Sequence, residues 1–268
     1  MEKLELSIII VNYKSADFTA ALIKNISQIV KNINYEIIVV NNEPDGDADK
    51  KLREEFAWQK KIKFIQAEKN LGFGAGNNLG SKSAAGEYLL FLNPDIQILD
   101  DSIEKMLDFA AKHSEIGALS PLLYQKDAKT LQRHFYGEFQ NFAVLTIKRW
   151  KNRLPSPDED FFYVDTVSGA AMMVGRDIFQ RLGGFDQNFF MYFEDDDLCR
   201  RLSKSGYKNT VLATARLIHF EGQSSTSEEK KKYYYQSQDY YWQKHYGSFL
   251  TTIMKLLRYP YIVWQKII

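Results

Sequence analysis

The folded part of the chain opens with two apolar runs, Leu6-Ser-Ile-Ile-Ile-Val11 and Glu36-Ile-Ile-Val-Val40, separated by a helical pattern over residues 18–30. Buried strands rich in Ile and Val with a helix between them are typical of a parallel βαβ unit. Further strands are predicted at residues 63–67, 87–92 and 116–120, and further helices at residues 74–85 and from 100–101 onward. The first half of the chain is therefore predicted to be α/β.

Size, charge and cysteine content limit the classes of function. A chain of 268 residues is long enough for one α/β domain with an elaborated C-terminal part. Its 35 Lys and Arg nearly balance 34 Asp and Glu, so nucleic acid is not expected as a partner. Cys199 is the single cysteine, which excludes an internal disulfide and suits a reducing compartment. The N-terminus lacks the pattern of a secretory signal, so we expect a cytoplasmic protein.

The second half of the sequence is less regular. Residues 124–160 lack a clean period and contain Pro155 and Pro157, which favours a variable insertion or a mobile flap. The elements predicted after it are a strand over 163–174, helices over 176–182 and 196–205, and a strand that ends at His219. The remainder of the chain is predicted to be helical.

Asparagines follow the first two predicted strands. Asn12 comes directly after Val11, and Asn41 and Asn42 come after the second strand. Because open α/β sheets bind ligands beyond the carboxyl ends of their strands, these residues are candidates for ligand contacts. Taken singly, each fits an ordinary turn residue better, and only their occurrence at two strand ends favours a site.

Closely spaced glycines occur in Asn70-Leu-Gly-Phe-Gly-Ala-Gly-Asn77. Such a run lets backbone N–H groups approach an anion at a helix N-terminus. A dinucleotide-binding loop is disfavoured, because that loop follows the first strand of a fold and this run follows the third. Tight packing of a helix against a strand is the remaining alternative.

Acidic residues mark two further candidate sites. Asp95 follows an apolar strand, where a carboxylate either holds a hard divalent cation or caps a helix. Glu194 to Asp197 are four consecutive acids after an aromatic run. Their mutual repulsion raises pKa values, and a partly desolvated carboxylate suits a general base. A solvated helix N-terminus gives the same pattern.

His219 ends the last predicted strand. A lone histidine is usually structural, but at a strand end it can also donate to a diphosphate oxygen or bind the same metal as Asp95. The residues alone leave both interpretations open.

Taken in order, these motifs resemble family 2 of the inverting glycosyltransferases, particularly its bacterial rhamnosyltransferase-like branch. The resemblance covers about residues 6–225. Its pieces are Ser7-Ile-Ile-Ile-Val-Asn-Tyr13, Asn70-Leu-Gly-Phe-Gly-Ala-Gly-Asn-Asn78, Phe91-Leu-Asn-Pro-Asp95, Val167-Ser-Gly-Ala-Ala-Met-Met-Val174, Gly183-Gly-Phe-Asp186 and Phe190-Met-Tyr-Phe-Glu-Asp-Asp-Asp-Leu-Cys-Arg-Arg-Leu202. Each motif alone is weak evidence for this family, whereas all six in this order are specific for it.

The resemblance implies a fold and a division of the chain. The fold is glycosyltransferase-A (GT-A), a Rossmann-like mixed α/β sheet flanked by helices, with a helical C-terminal extension. Residues 1–225 would form the catalytic domain, with a nucleotide-sugar half at 1–122 and an acceptor half at 123–225. Residues 226–268 would form the extension.

Residue roles follow from the same resemblance. Asp195 would be the general base, with Glu194 and Asp197 as supporting acids. Asp95 and His219 would hold a divalent cation, Mg²⁺ or Mn²⁺. The expected donor-binding residues are Val11, Asn12, Asn42, Asn70, Gly72, Gly74, Asn77 and Asn93.

Two positions depart from the family pattern. Asn93 stands where the metal motif has its first aspartate, and Asn41 stands where most relatives have an aspartate before the asparagine. Recognition of the base and ribose is therefore expected to be unusual.

The implied reaction is an inverting, metal-dependent hexosyl transfer from a nucleotide diphosphate sugar to an acceptor hydroxyl. The favoured donor is dTDP-rhamnose, and the favoured acceptor is a lipid-linked saccharide of cell-surface polysaccharide. An inactive relative that binds a nucleotide sugar or an assembly partner is the alternative. A nucleotidyltransferase is disfavoured, because Asn12-Tyr-Lys14-Ser lacks the glycines such an enzyme carries after its first strand.

The C-terminal stretch 248–268 suggests contact with the inner face of the cell membrane. Pro260 and three cations, Lys255, Arg258 and Lys266, argue against a spanning helix. An interfacial helix would share one apolar face and carry cations at its margins. The apolar residues of that face are Phe249, Ile253, Leu256, Leu257 and Tyr261. A helix that packs on the domain or forms a homodimer contact is the equal alternative.

Overall fold

The structure is a computed structural model that describes residues 3–44, 46–132, 135–142, 156, 159–220 and 227–267. The strands are β1 (Leu6–Asn12), β2 (Tyr35–Asn41), β3 (Ile62–Gln66), β4 (Tyr88–Leu92), β5 (Ile96–Ile98), β6 (Ile116–Tyr124), β7 (Tyr136–Gly137), β8 (Phe161–Val164), β9 (Thr166–Val167), β10 (Ala171–Gly175) and β11 (Lys208–His219). The helices are α1 (Ala16–Ile29), α2 (Asp47–Phe56), α3 (Phe73–Ser81), α4 (Ser102–Lys112), α5 (Arg176–Arg181), α6 (Glu194–Lys204) and α7 (Ser227–Ile267).

Within the described residues, nine strands form one mixed sheet. Its order is β3-β2-β1-β4-β10-β6-β11-β5, and β8 pairs with β11 beside this path. The first four strands in this order are parallel to one another, and β10 runs antiparallel to both β4 and β6. The predicted βαβ start is confirmed, and the carboxyl ends of β1, β2 and β4 meet at one edge of the sheet.

The strand predicted over 163–174 is wrong as a single element, because the structure divides it into β8, β9 and β10. β8 pairs with β11, β9 pairs with β7, and β10 pairs with β4 and β6. The bend at Asp165 and the turn at Ser168 to Ala170 let the chain change partner. Of the predicted flap over 124–160, residues 133–134, 143–155 and 157–158 lie outside the described residues.

The glycines of α3 allow this helix to lie directly on the sheet. A Cβ atom added at Gly80 would lie 2.6 Å from a methyl carbon of Ile9, and one at Gly76 would lie 3.0 Å from a methyl carbon of Val11. Distances this short force a neighbouring side chain to move. The packing interpretation therefore accounts for these two glycines.

Residues from both halves of α7 belong to a second apolar core, which we call the aromatic core. It contains Phe189, Phe193, Tyr241, Trp242 and Met254, all buried. α7 therefore covers the turn before α6, which carries Phe189 and Phe193. It breaks at Gly247, whose φ of 80° lies in the left-handed region that favours glycine. Among the described residues, none of the helices combines the length and the apolar character that a membrane span needs.

Candidate active site

A cavity of about 590 Å³ opens at the carboxyl ends of β1, β2 and β4. This volume lies in the range of small-molecule sites. Of the residues predicted from the sequence, Val11, Asn42, Asn70, Gly72, Asn93, Asp95, Glu194, Asp195 and His219 line the cavity. Four others, Asn12, Gly74, Asn77 and Asp197, do not line it.

One wall of the cavity is the loop between β3 and α3. The Asn42 side chain donates to Asn70 Oδ1 and to the Gly72 carbonyl, both at 3.1 Å, and accepts from the Leu71 N–H at 2.9 Å. Gly72 has φ of 83°, and an added Cβ would lie 2.1 Å from the Phe190 carbonyl oxygen. Only glycine fits there, so the loop between β3 and α3 is in direct contact with the acidic motif.

Two backbone N–H groups at the start of α3 already donate hydrogen bonds within the protein. The Gly72 N–H donates to Asn70 Oδ1 at 2.9 Å, and the Phe73 N–H donates to the Phe190 carbonyl at 3.0 Å. An anion at this helix N-terminus would compete with both bonds. Gly74 lacks a Cβ that would press on Phe185 and Glu194, which again indicates a packing role.

Asn12 is a structural link behind the cavity. Its side chain is 1% exposed, donates to Asp49 Oδ1 at 2.5 Å and accepts from the hydroxyls of Ser15 and Thr19 at 3.0 and 3.1 Å. These bonds tie the end of β1 to α1 and α2. Asn77 is similarly occupied, since its side chain donates to the Phe73 carbonyl at 3.1 Å.

The pairing of β5 with β11 brings Asp95 and His219 together. His219 lies opposite Ile96, the residue after Asp95, and the Phe220 N–H donates to the Asp95 carbonyl at 3.0 Å. Asp95 Oδ1 lies 3.3 Å from His219 Nε2, and both side chains are mostly buried at the cavity. Asn93 Nδ2 lies 3.4 Å from the same nitrogen.

This pair fits one divalent cation. Ligands of Mg²⁺ lie about 2.1 Å from the ion, so adjacent ligands are about 3 Å apart, close to the observed separation. Within the described residues, no group of three or more His, Cys, Asp or Glu side chains could share an ion. Two protein ligands suit a cation that takes its other ligands from phosphate oxygens and water.

The turn before α6 presents the acidic motif to the cavity. Tyr192 and Phe193 have φ of 70° and 67°, a left-handed conformation that is costly for residues other than glycine. The Ser237 hydroxyl donates to the Met191 carbonyl at 2.7 Å, and the Phe193 ring packs in the aromatic core. Contacts from α7 therefore hold this turn in place.

Asp195 lies at the cavity with its carboxylate fixed by two backbone donors. The Gly169 N–H donates to Oδ2 at 2.9 Å, and the Asp196 N–H donates to Oδ1 at 3.0 Å. Burial raises the pKa of Asp195, although these bonds oppose the shift. A carboxylate with a raised pKa is a stronger base than an exposed one.

Glu194 has a different environment. Its side chain is 4% exposed, and Oε2 has no hydrogen-bond partner within the described residues. Burial, followed by the charge of Asp195, raises the pKa of Glu194 well above its ordinary value. A buried polar atom without a partner at a cavity fits a bound ligand that supplies the missing bond.

Asp197 is fully buried on the far side of the same turn. It contacts Arg201 Nε at 2.8 Å, Lys244 Nζ at 2.6 Å and His245 Nε2 at 2.8 Å. Burial alone would raise its pKa, but hydrogen bonds from His245 and Lys244 and the charge of Arg201 lower it to about 2. Asp197 therefore joins α6 to α7 as a permanent anion.

Twelve further residues line the cavity that were not predicted as site residues, and Lys14, Tyr192 and Lys230 are among them. Lys14 follows β1, where only the asparagine drew attention. Lys230 comes from α7, and no motif near it points to the cavity. Their positions depend on contacts between distant parts of the chain, which no local pattern encodes.

Comparisons with known proteins identify the family. Residues 7–183 match the family described as glycosyl transferase family 2, and residues 149–223 match one described as the N-terminal domain of galactosyltransferase. The rhamnosyltransferase WbbL of Escherichia coli K12 is 30% identical over 233 residues, which cover 82% of this chain and 85% of that protein. An N-acetylglucosaminyl-diphospho-decaprenol L-rhamnosyltransferase of Mycobacterium tuberculosis is 29% identical, and the match covers 61% of this chain and 60% of that enzyme.

Solved structures agree on the fold. GalNAc-T7 with UDP, GalNAc and Mn²⁺ has a TM-score of 0.66 at 15% identity, over 97% of this chain and 54% of that one. TarS of S. aureus in complex with UDP has a TM-score of 0.59 at 17% identity, over 82% and 61% of the two chains. These neighbours confirm the predicted GT-A fold with its helical C-terminal segment. The match over residues 7–183 and the 30% identity with WbbL establish that this chain belongs to glycosyl transferase family 2.

Proposed function

We propose that the protein is an inverting glycosyltransferase that depends on a divalent cation and uses Asp195 as its general base. The observation that carries the proposal is that Asp195 and the Asp95–His219 pair line one cavity. A nucleotide diphosphate sugar would lie between them. GalNAc-T7 was solved with UDP, GalNAc and Mn²⁺, which supports a cation in this fold.

The chain's own residues account for the chemistry of transfer. Asp195, fixed by the Gly169 and Asp196 N–H groups, takes the proton of an acceptor hydroxyl as that oxygen attacks the anomeric carbon. Attack opposite the leaving group inverts the anomeric centre in one displacement. Asp95 and His219 would hold a divalent cation, whose charge would stabilise the departing diphosphate.

Glu194 would orient a sugar rather than accept its proton. Its buried Oε2 has no partner within the described residues, and its pKa is raised well above the ordinary value. A hydroxyl of the donor sugar or of the acceptor would complete its hydrogen bonding. Asp197 supports the base only through the position of α6.

We expect the nucleotide to bind to the side of the cavity that is lined by Val11, Asn42, Asn70, Gly72 and Asn93. Asn12, Gly74 and Asn77 would support these residues without touching the nucleotide. We favour dTDP-rhamnose as donor because two relatives are named as rhamnosyltransferases. One of those names includes a diphospho-decaprenol acceptor, which supports a lipid-linked saccharide of the cell surface as the acceptor here.

The test is a thermal-shift series with UDP, dTDP, GDP and CDP, each with and without Mg²⁺ or Mn²⁺. A ligand that binds only the native protein raises its melting temperature by mass action. We expect dTDP to stabilise the protein only with metal, and an Asp95→Asn variant to lose that response. Stabilisation that is equal with and without metal would contradict the cation dependence.

An inactive relative that only binds nucleotide sugars or an assembly partner is the second candidate. The presence of Asp95, Asp195 and His219 at one cavity speaks against it. Transfer of labelled rhamnose from dTDP-rhamnose to a lipid-linked acceptor separates the two. Donor binding without any transfer to a series of such acceptors would favour the inactive relative.

We further propose that the second half of α7 rests on the cytoplasmic face of the membrane. Phe249, Leu256, Leu257 and Tyr259 are 54–77% exposed. Lys255 and Arg258 do not lie free at the margins as expected, because both contact Asp239, at 3.1 and 2.7 Å. The expected positions of Tyr261 and Lys266 lie outside the described side chains.

This proposal predicts flotation with anionic liposomes, driven by apolar contact. A Phe249→Ser, Leu256→Ser double variant should float less, and a Lys112→Ser control should float like the wild type. Equal flotation of the double variant and the wild type would contradict it. A concentration-dependent dimer lost in the double variant would instead support a homodimer contact.

A further inference from the structure

The buried side chain of Gln132 contacts His219 twice. Gln132 is 4% exposed. Its Nε2 donates to the His219 backbone carbonyl at 2.7 Å, and its Oε1 lies 3.0 Å from the ring nitrogen Nδ1. The amide thus joins two atoms of one residue and holds its ring at a fixed angle.

The hydrogen bonds of the Gln132 amide determine which ring nitrogen of His219 carries the proton. A backbone carbonyl only accepts hydrogen bonds, so the NH₂ group of Gln132 must face it. The amide oxygen then faces Nδ1, which must carry a proton to donate to it. In a neutral imidazole the other nitrogen, Nε2, is left with its lone pair. The nearby Asn93 Nδ2, at 3.4 Å, is a donor that suits an accepting Nε2.

The nitrogen left without a proton is the one that faces Asp95. Nε2 lies 3.3 Å from Asp95 Oδ1, so two electron-pair donors point into the cavity together. In the opposite tautomer, an Nε2–H would donate to Asp95 and occupy both groups. The tautomer of His219 therefore decides whether Nε2 and the Asp95 carboxylate can bind a cation together.

We propose that Gln132 is a positioning residue that holds His219 in the Nδ1–H tautomer, so that Nε2 stays available beside Asp95. The role of that nitrogen as a metal ligand rests on the function proposed above. Partners of this kind on metal-binding histidines typically change metal affinity by about 10- to 100-fold when they are replaced.

The backbone around Gln132 does not depend on its side chain. The Gln132 N–H donates to the Leu123 carbonyl, and the Gln125 N–H donates to the Thr130 carbonyl, both at 2.8 Å. Asp127 closes the turn between them through the N–H groups of Lys129 and Thr130. Substitution of Gln132 should therefore leave this hairpin folded.

The experiment is a long-range ¹H–¹⁵N spectrum of the histidine rings in the metal-free protein, at about pH 8 where a free imidazole is neutral. The chain has four histidines, and a His219→Asn variant identifies the signals that belong to this ring. We expect the Nδ1–H pattern in the wild type and in Gln132→Glu, whose side chain can still accept from Nδ1. Gln132→Leu should shift His219 toward the Nε2–H pattern.

Mn²⁺ affinity, measured by electron paramagnetic resonance with dTDP present, provides the second readout. Gln132→Leu should weaken it by about 10- to 100-fold, and Gln125→Leu, an exposed position in the same hairpin, should leave it unchanged. A wild-type Nε2–H pattern, or an unchanged pattern in Gln132→Leu, would overturn the inference. If the wild type bound no Mn²⁺, the cation dependence would fail, while the metal-free spectrum would still decide the role of Gln132.

Discussion

Asp195 and Asp197 lie in one turn of α6 and have opposite surroundings. Successive helix residues are rotated by about 100°, so residues two apart lie on nearly opposite faces. Asp195 faces the cavity with two backbone donors, whereas Asp197 is fully buried against Arg201, Lys244 and His245. The pKa is raised in the first and lowered to about 2 in the second. Two acids that lie two positions apart in one motif can thus have opposite electrostatic environments.

The largest expected effect is that of Asp195→Asn on transfer. The amide keeps the shape of the side chain but cannot take the proton of the acceptor, and loss of a general base typically costs about 10²- to 10⁴-fold in rate. Steady-state transfer should fall by that factor, while dTDP still raises the melting temperature. Turnover near that of the wild type would remove Asp195 from the role of base.

Asp197→Asn should affect stability instead. Removing one partner of a buried ion pair leaves the other charges uncompensated and typically costs about 3–5 kcal/mol. The free energy of unfolding from urea titration should drop by that order, with Lys112→Ala, at an exposed ion pair, as the control. An unchanged midpoint would mean that the three contacts with Asp197 contribute nothing.

The same variant carries a pH dependence. The Asp197 pKa is about 2 in the folded protein, against 3.8 for an aspartate in the unfolded chain, so its contribution is present above about pH 4 and is lost as pH falls toward 2. Wild type and Asp197→Asn should therefore converge in stability at acid pH. A constant difference down to about pH 2 would contradict the lowered pKa.

Asp196→Asn should raise stability at neutral pH. Burial, followed by the charge of Asp195, raises the Asp196 pKa to about 8 from 3.8. Between these values the unfolded chain releases a proton that the folded protein retains, so the wild type loses stability as pH rises. The gain in melting temperature should grow from about pH 4 to about pH 8. A gain that is the same at both ends would contradict the raised pKa.

The smallest effect is expected at an exposed ion pair. Lys112 Nζ lies 2.7 Å from Asp108, a distance similar to those at Asp197, but both side chains are more than 60% exposed. Exposed pairs of this spacing contribute about 0.5 kcal/mol or less. Lys112→Ala should change the urea midpoint barely above error. A loss as large as that of Asp197→Asn would show that distance, rather than burial, sets the strength of such pairs here.

The sequence predicted the parallel start of the sheet and the GT-A fold, because long apolar strands and six ordered motifs carry both. It missed α2 and β5. The three residues of β5 are too few to show a period, and this strand exists because β11 pairs with it. In α2 the buried apolar residues are Leu52 and Phe56, too few to mark an amphipathic helix.

The candidate site was predictable in part. Asp95, Asp195 and His219 were named from motifs, and the structure brings all three to one cavity. The environment of Asp197 was not predictable, because Lys244 and His245 lie almost 50 residues further along the chain. Gln132 was missed for the same reason, since its contact with His219 spans 87 positions.

The break at Gly247 divides α7 into two halves with different surroundings. Residues before it contact the aromatic core and Asp197. Residues after it include Met254, which packs in the same core, and the exposed apolar side chains of Phe249, Leu256, Leu257 and Tyr259. The angle between the two halves depends on a single codon, because φ of 80° suits glycine. The exposed apolar side chains after the break can therefore diverge among descendants of this gene, gaining or losing affinity for a surface, while Met254 and the residues before the break keep their packing against the acidic turn.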